Sequence, residues 1–129
     1  MAFLLDTNVC IDFALGRSLR LLERMQRAVP GTLAMSAVTY AELSVGARGG
    51  DLDADLRRLQ ALTRFVPVRP FDDGAGQSYG TLVRAVGVRR NSFDNLIAAH
   101  ALALGLTLVT NNERDFADIP GLRVENWTR

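Results

Sequence analysis

The run Ala2-Phe3-Leu4-Leu5-Asp6-Thr7-Asn8 starts as an apolar strand and ends in a carboxylate, a hydroxyl and an amide. Apolar residues in succession, with no polar alternation, read as a strand buried on both faces, the pattern of a parallel sheet. Such a strand delivers whatever follows it to the carboxyl edge of the sheet, where open α/β folds place their sites. Asp6 is then a charge at the rim of a hydrophobic core, a costly position unless something binds it. Asp6, Thr7 and Asn8 are also good helix caps, and for the motif in isolation capping accounts for them equally well.

Working outward, the spacing predicts a short helix over 8–15, ended by Gly16. Ser18 caps a second helix through 28, with Leu19, Leu22, Met25 and Val29 on one face. A short strand follows at 32–35, then a helix over 38–47 that starts near Ser36. Asp51 begins a helix carrying Leu52, Leu56, Leu59 and Leu62 at helical spacing. Residues 65–68 form a weak strand, placed at an edge because Pro67 donates no ladder hydrogen bond. Asp72 and Asp73 cap a helix to 86, and Ser92 caps the most apolar helix, 93–104, which must be buried around most of its circumference. A second buried strand spans 106–109, a helical turn 113–117, and a last alternating strand 122–127. Strands alternating with helices imply right-handed crossovers. The expected architecture is a three-layer α/β/α fold with a mainly parallel central sheet, one domain over residues 1–129.

Composition bounds the function. Hydrophobic residues make up 48% of the chain and the net charge is +1, which describes an ordinary globular protein and argues against a broad basic face. The single cysteine, Cys10, excludes an internal disulfide and fits a reducing compartment as buried filler. No basic segment precedes Phe3, and the longest apolar run, 96–108, is interrupted and shorter than the roughly 20 residues a membrane span needs. A cytoplasmic protein is expected, with no membrane partner. All 15 basic residues are arginine, so phosphate binding, if any, is local and bidentate.

Asp6 follows the first strand, and Glu42 lies inside the helix after the second. Asp94 is in the first turn of the buried helix, and Asp115 follows the strand 106–109 and its Thr110-Asn111-Asn112 turn. Each has an ordinary explanation: Asp94 in a first helical turn gains roughly 0.3–1 kcal/mol from the helix dipole, Glu42 could pair with Arg48, and Asp115 could face solvent. Jointly these explanations are weaker, because the strand-end rule sends Asp6, Thr110-Asn111-Asn112 and the two helix starts toward one sheet edge. Asp94 also lies between Phe93 and Leu96 on a nearly all-apolar helix. Gathered carboxylates repel unless a hard cation joins them, and oxygen ligands suit Mg²⁺ or Mn²⁺ better than zinc. Such a site hydrolyses phosphodiesters. The chain has no Walker loop, and His100 is the sole histidine, sited mid-helix where core packing explains it.

The ordered set Asp6-Thr7-Asn8, Tyr40-Ala41-Glu42-Leu43, Asp94-Asn95-Leu96-Ile97-Ala98-Ala99-His100-Ala101 and Val109-Thr110-Asn111-Asn112 with Asp115-Phe116 resembles the PIN-domain ribonucleases. Within them it is most similar to the VapC toxins of bacterial toxin–antitoxin pairs, as is the ending Ile119-Pro120-Gly121-Leu122-Arg123-Val124-Glu125-Asn126-Trp127. The resemblance implies a Mg²⁺- or Mn²⁺-dependent endoribonuclease, dimeric and held inactive by a VapB-like antitoxin. It implies an acidic site of Asp6, Glu42, Asp94 and Asp115, with Asp6, Asp94 and Asp115 on the metal and Thr7, Asn8, Thr110 and Asn112 as polar support. Two departures stand out: the acid many PIN domains place within two residues of the threonine is Asn111-Asn112 here, and Arg90-Asn91-Ser92-Phe93 replaces a glycine-containing loop. Arg89 and Arg90, in the loop before Asp94, are candidate partners for RNA phosphates. The competing readings are a structure-specific DNA nuclease with the same acids and an inactive, partner-binding fold. An aspartyl phosphatase fits poorly, since Asn8 stands where its second acid belongs and there is no lysine.

Overall fold

β1 (Phe3–Leu5) lies in the middle of a parallel sheet, flanked by β2 (Leu33–Ser36) and β4 (Thr107–Val109), with β3 (Val68–Arg69) and β5 (Val124–Glu125) at the edges. The computed structural model describes residues 2–46, 49–87 and 92–129. The strand order is β3-β2-β1-β4-β5. The chain winds outward from β1 to β3, then crosses back to β4, so the direction of winding reverses between β1 and β4. Parallel sheets open a crevice at that reversal, at the carboxyl ends of the strands. Asp6 and Thr110 are the residues that leave those two ends.

Successive side chains of the central strands sort to opposite faces. Leu4, Ala34 and Leu108 pack with Leu82, Ile97, Ala98 and Ala101, from α5 (Asp73–Val86) and α6 (Ser92–Leu104). Leu5, Met35 and Val109 pack with Val9, Leu21, Met25, Leu59 and Leu62, from α1 (Thr7–Ala14), α2 (Leu19–Arg27) and α4 (Leu52–Phe65). These two cores are the expected α/β/α layering. α3 (Ala37–Val45) starts directly at the end of β2 and touches α1 and α4 of one layer and α6 of the other. That position carries Glu42 across the top of the sheet.

Ser18 and Asp72 cap their helices as expected, and Ser36 and Asp51, at the expected helix starts, also accept a first-turn backbone N–H. Asp73 is not a cap but the first residue of α5. Several apolar faces differ from expectation. On α2 the buried pair is Leu21 and Met25, while Leu19 and Val29 are exposed. On α4 Leu59 and Leu62 join the core with Leu5 and Met35, but Leu52 and Leu56 are exposed. Phe65 belongs to α4, and the edge strand starts after Pro67. The last turn is a 3₁₀ turn, Glu113–Phe116. No helix among the described residues is long and apolar enough to cross a membrane.

Candidate active site

Asp6 is fixed from both sides. Its backbone N–H donates to Val109 O at 3.0 Å, joining the ends of β1 and β4. Its Oδ1 accepts the Val9 N–H at 2.9 Å and so caps α1. The capping explanation is thus true, and it does not exhaust the residue. Asp6 is 5% exposed, and burial pushes its carboxyl up from 3.8 to about 6, against hydrogen bonds from the Thr110 hydroxyl and Val9 that pull it down. The negative charges of Asp94 and Asp12 raise it further.

The neighbouring residue links a second acid. The Thr7 hydroxyl donates to Glu42 Oε1 at 2.7 Å and lies 3.2 Å from the buried Thr39 hydroxyl. Glu42 is therefore oriented from α1; Arg48, its expected surface partner, lies outside the described residues. Asp94, half-buried in the first turn of α6, is raised by burial and then by the charges of Asp115 and Glu42. Asp115 stands exposed on the 3₁₀ turn. The four acids proposed from sequence thus share one electrostatic field. Of the polar residues, Thr110 is fully buried and its Oγ1 accepts the Asn112 N–H at 3.0 Å, while Asn8 and the Asn112 side chain face outward. Arg89 and Arg90 lie outside the described residues.

Sequence reasoning missed Asp12, Asn111 and Thr39. Asn111 Nδ2 donates to Asp12 Oδ2 at 2.7 Å, tying α1 to the turn after β4. The signal for Asp12 was available: it is a lone acid among Cys10, Ile11, Phe13 and Ala14, the same argument that singled out Asp94.

The donor set fits a hard divalent cation, because it is all oxygen and because burial and mutual repulsion disfavour the charged forms of Asp6 and Asp94 that a cation would favour. The carboxylates are not closed into a cage: among the described residues no three acidic, histidine or cysteine side chains stand close enough to hold a metal as they are. His100 plays no part here. It is buried, its Nδ1 lies 2.8 Å from Ser36 Oγ, and its ring packs edge-on to Phe71, as a core histidine does. Cys10 is a buried free thiol, its pKa raised by burial.

Comparison with known proteins points one way. The pattern of the PIN domain matches residues 3–122. The chain is 33% identical over 133 residues to the tRNA(fMet)-specific endonuclease VapC of Shigella flexneri, covering 99% of both chains. Its fold is similar to that in the crystal structure of DNA-bound VapBC from Salmonella typhimurium, with a TM-score of 0.88, 30% identity and 98% of each chain covered. It is equally similar to VapBC-1 from nontypeable Haemophilus influenzae, with a TM-score of 0.86, 33% identity and 100% of each chain covered.

Proposed function

The chain belongs to the PIN-domain family, and on that premise we propose that it is a metal-dependent endoribonuclease, the toxin of a toxin–antitoxin pair. The observation that carries the reading is that four carboxylates from four separate segments act on one another at the carboxyl edge of the sheet. Asp6, Asp94 and Asp115 would hold the cation, Mg²⁺ or Mn²⁺, once it draws their side chains together, and Glu42 would complete the acidic site. When bound, the cation activates water and neutralises charge on the scissile phosphate. Thr7 holds Glu42 by Oε1, so that its carboxylate would be oriented to accept a proton as a general base. Thr110 holds the Asp6 carboxyl in place. The whole chain acts as one nuclease domain, as a homodimer, and a VapB-like antitoxin silences it, as the VapBC complexes among its structural relatives suggest.

Purified protein is expected to cut RNA with Mg²⁺ or Mn²⁺ and to stop on addition of EDTA. The name of the Shigella relative makes tRNA(fMet) the first substrate to offer. Undiminished cleavage in EDTA, or cleavage of DNA alone, would overturn the reading.

Asp115 and Asn112 separate cleanly. With Asp115 as the acid that the threonine-linked position lacks, Asp115→Ala is expected to cost at least about tenfold in kcat. Asn112→Ala should cost little, because only its backbone N–H reaches Thr110. Equal, mild losses would leave a site of three acids.

Arg89 and Arg90 precede Asp94 by five and four positions and supply bidentate partners for the RNA backbone. Changing both to alanine is expected to flatten the salt dependence of RNA binding by about one to two units of slope, with melting temperature unchanged. An unchanged slope would move the phosphate contacts elsewhere.

A further inference from the structure

We infer that Asp12 is a positioning residue: with Asn111 it clamps residues 110–112 to α1, and so sets both Thr110 against Asp6 and the 3₁₀ turn that carries Asp115. The inference rests on the nuclease reading for its activity measurement, and on geometry for the clamp itself. Asn111 Nδ2 donates to Asp12 Oδ2 at 2.7 Å, a short, charge-assisted bond between residues 99 positions apart. The carboxylate decides which way the amide faces, since the flipped amide would set oxygen against oxygen. The cost of that orientation is visible. Asn111 Oδ1 is buried without a hydrogen-bond partner among the described residues, an unfavourable state that the bond to Asp12 must offset.

The other oxygen of Asp12 is also engaged. Its Oδ1 lies 3.4 Å from Arg17 Nη1, and the Arg17 N–H donates to the Asp12 carbonyl at 2.9 Å, so the end of α1 folds back onto the carboxylate. With both oxygens facing protein donors, Asp12 is a clamp and not a further cation ligand. Its grip passes directly into the site. Thr110 precedes Asn111, accepts the Asn112 N–H and draws the Asp6 carboxyl down. Asn112 O in turn accepts the Asp115 N–H at 3.1 Å. The clamp on Asn111 therefore holds the turn that sets Thr110 beside Asp6 and leads into the 3₁₀ turn of Asp115.

The test compares Asp12→Ala, Asn111→Ala, their double variant and Asp12→Asn in the full-length protein. It measures RNA cleavage, Mn²⁺ binding by calorimetry and melting temperature. Each alanine variant is expected to lose about tenfold or more in kcat, with KM within about twofold, and to bind Mn²⁺ more weakly. The double variant should be no worse than the worse single one, because both break the same bond. Asp12→Asn should restore most of the loss, since it keeps a carbonyl acceptor for Asn111 and the exposed Arg17 can turn away. Additive losses, a kcat that does not move, or Asp12→Asn as damaged as Asp12→Ala would overturn the clamp, the last by assigning Asp12 a role as bare charge. Should Asp12→Ala not fold, Asn111→Ala and Asp12→Asn decide: the first must impair and the second must not. If the parent protein cuts no RNA, the nuclease reading fails, and the same variants still judge the clamp by Mn²⁺ binding.

Discussion

Asp6→Asn is expected to cleave RNA at least about a hundredfold more slowly than the parent, and in EDTA at pH 7 to melt at a higher temperature. The two effects come from one charge. Asparagine is as good a helix cap as aspartate, so the bond to the Val9 N–H and the start of α1 survive the substitution. What disappears is the negative charge needed on a cation and disfavoured without one. Burial and the nearby Asp94 and Asp12 charges place the folded carboxyl at about 6, against 3.8 for the ordinary group. That difference corresponds to about 3 kcal/mol of destabilisation once the group is ionised. The folded protein keeps its proton up to about pH 6, whereas the unfolded chain releases it near 3.8. The folded state therefore holds more protons across that window, and the parent loses stability as pH rises through it. Asp6→Asn has no such window, so its advantage should be complete above about pH 6 and gone below about pH 4. Added Mn²⁺ should then stabilise the parent more than the variant. A metal-free variant that melts below the parent at pH 7 would contradict this account of Asp6.

How far the sequence alone reaches depends on the kind of signal. Buried parallel strands are continuous and apolar, so 2–5 and 106–109 were readable at once, and the fold class followed from their alternation with helices. Caps are local chemistry, and Ser18, Ser36, Asp51 and Asp72 acted as their residue types require. Helix faces were less legible. In α2 the leucines at 19, 21 and 22 satisfy more than one apolar stripe, and only packing of the helix on the sheet selects Leu21 with Met25. In α4 the leucine series starts before the residues that join the core, so periodicity overstates burial at Leu52 and Leu56.

The acids were readable because each breaks an apolar context or follows a strand. Their hydrogen-bond partners were not. Thr7 reaches Glu42 across 35 positions, and Asn111 reaches Asp12 across 99, and no local pattern encodes such pairs. Asn111 and Asn112 are the same residue type side by side. The Asn111 side chain bonds Asp12 on α1, while the Asn112 backbone N–H donates to Thr110. Only the conformation of the turn distinguishes them.

Asp94→Asn is expected to match Asp6→Asn in lost cleavage and to differ from it in stability. Asp94 is the hub of the repulsion: it raises Asp6, and it is itself raised by burial first and then by Asp115 and Glu42. It is also only half-buried, on the first turn of α6, where the helix dipole favours its charge by roughly 0.3–1 kcal/mol. Removing that charge relieves repulsion and forfeits the dipole interaction, so the metal-free melting temperature should change far less than in Asp6→Asn. The substitution should also act at a distance, by drawing the Asp6 carboxyl down from about 6, measurable by NMR titration of its side-chain carbon. In cells, the variant expressed at the parent's level should no longer arrest growth, provided the toxin reading holds. The separation of outcomes is what makes the substitution informative. Intact cleavage with a lowered Asp6 pKa would leave Asp94 as a neighbouring charge that holds no cation. Intact cleavage with an unmoved Asp6 pKa would reduce it to an acidic residue at a helix start, and the cation would have to be held by Asp6, Glu42 and Asp115 alone.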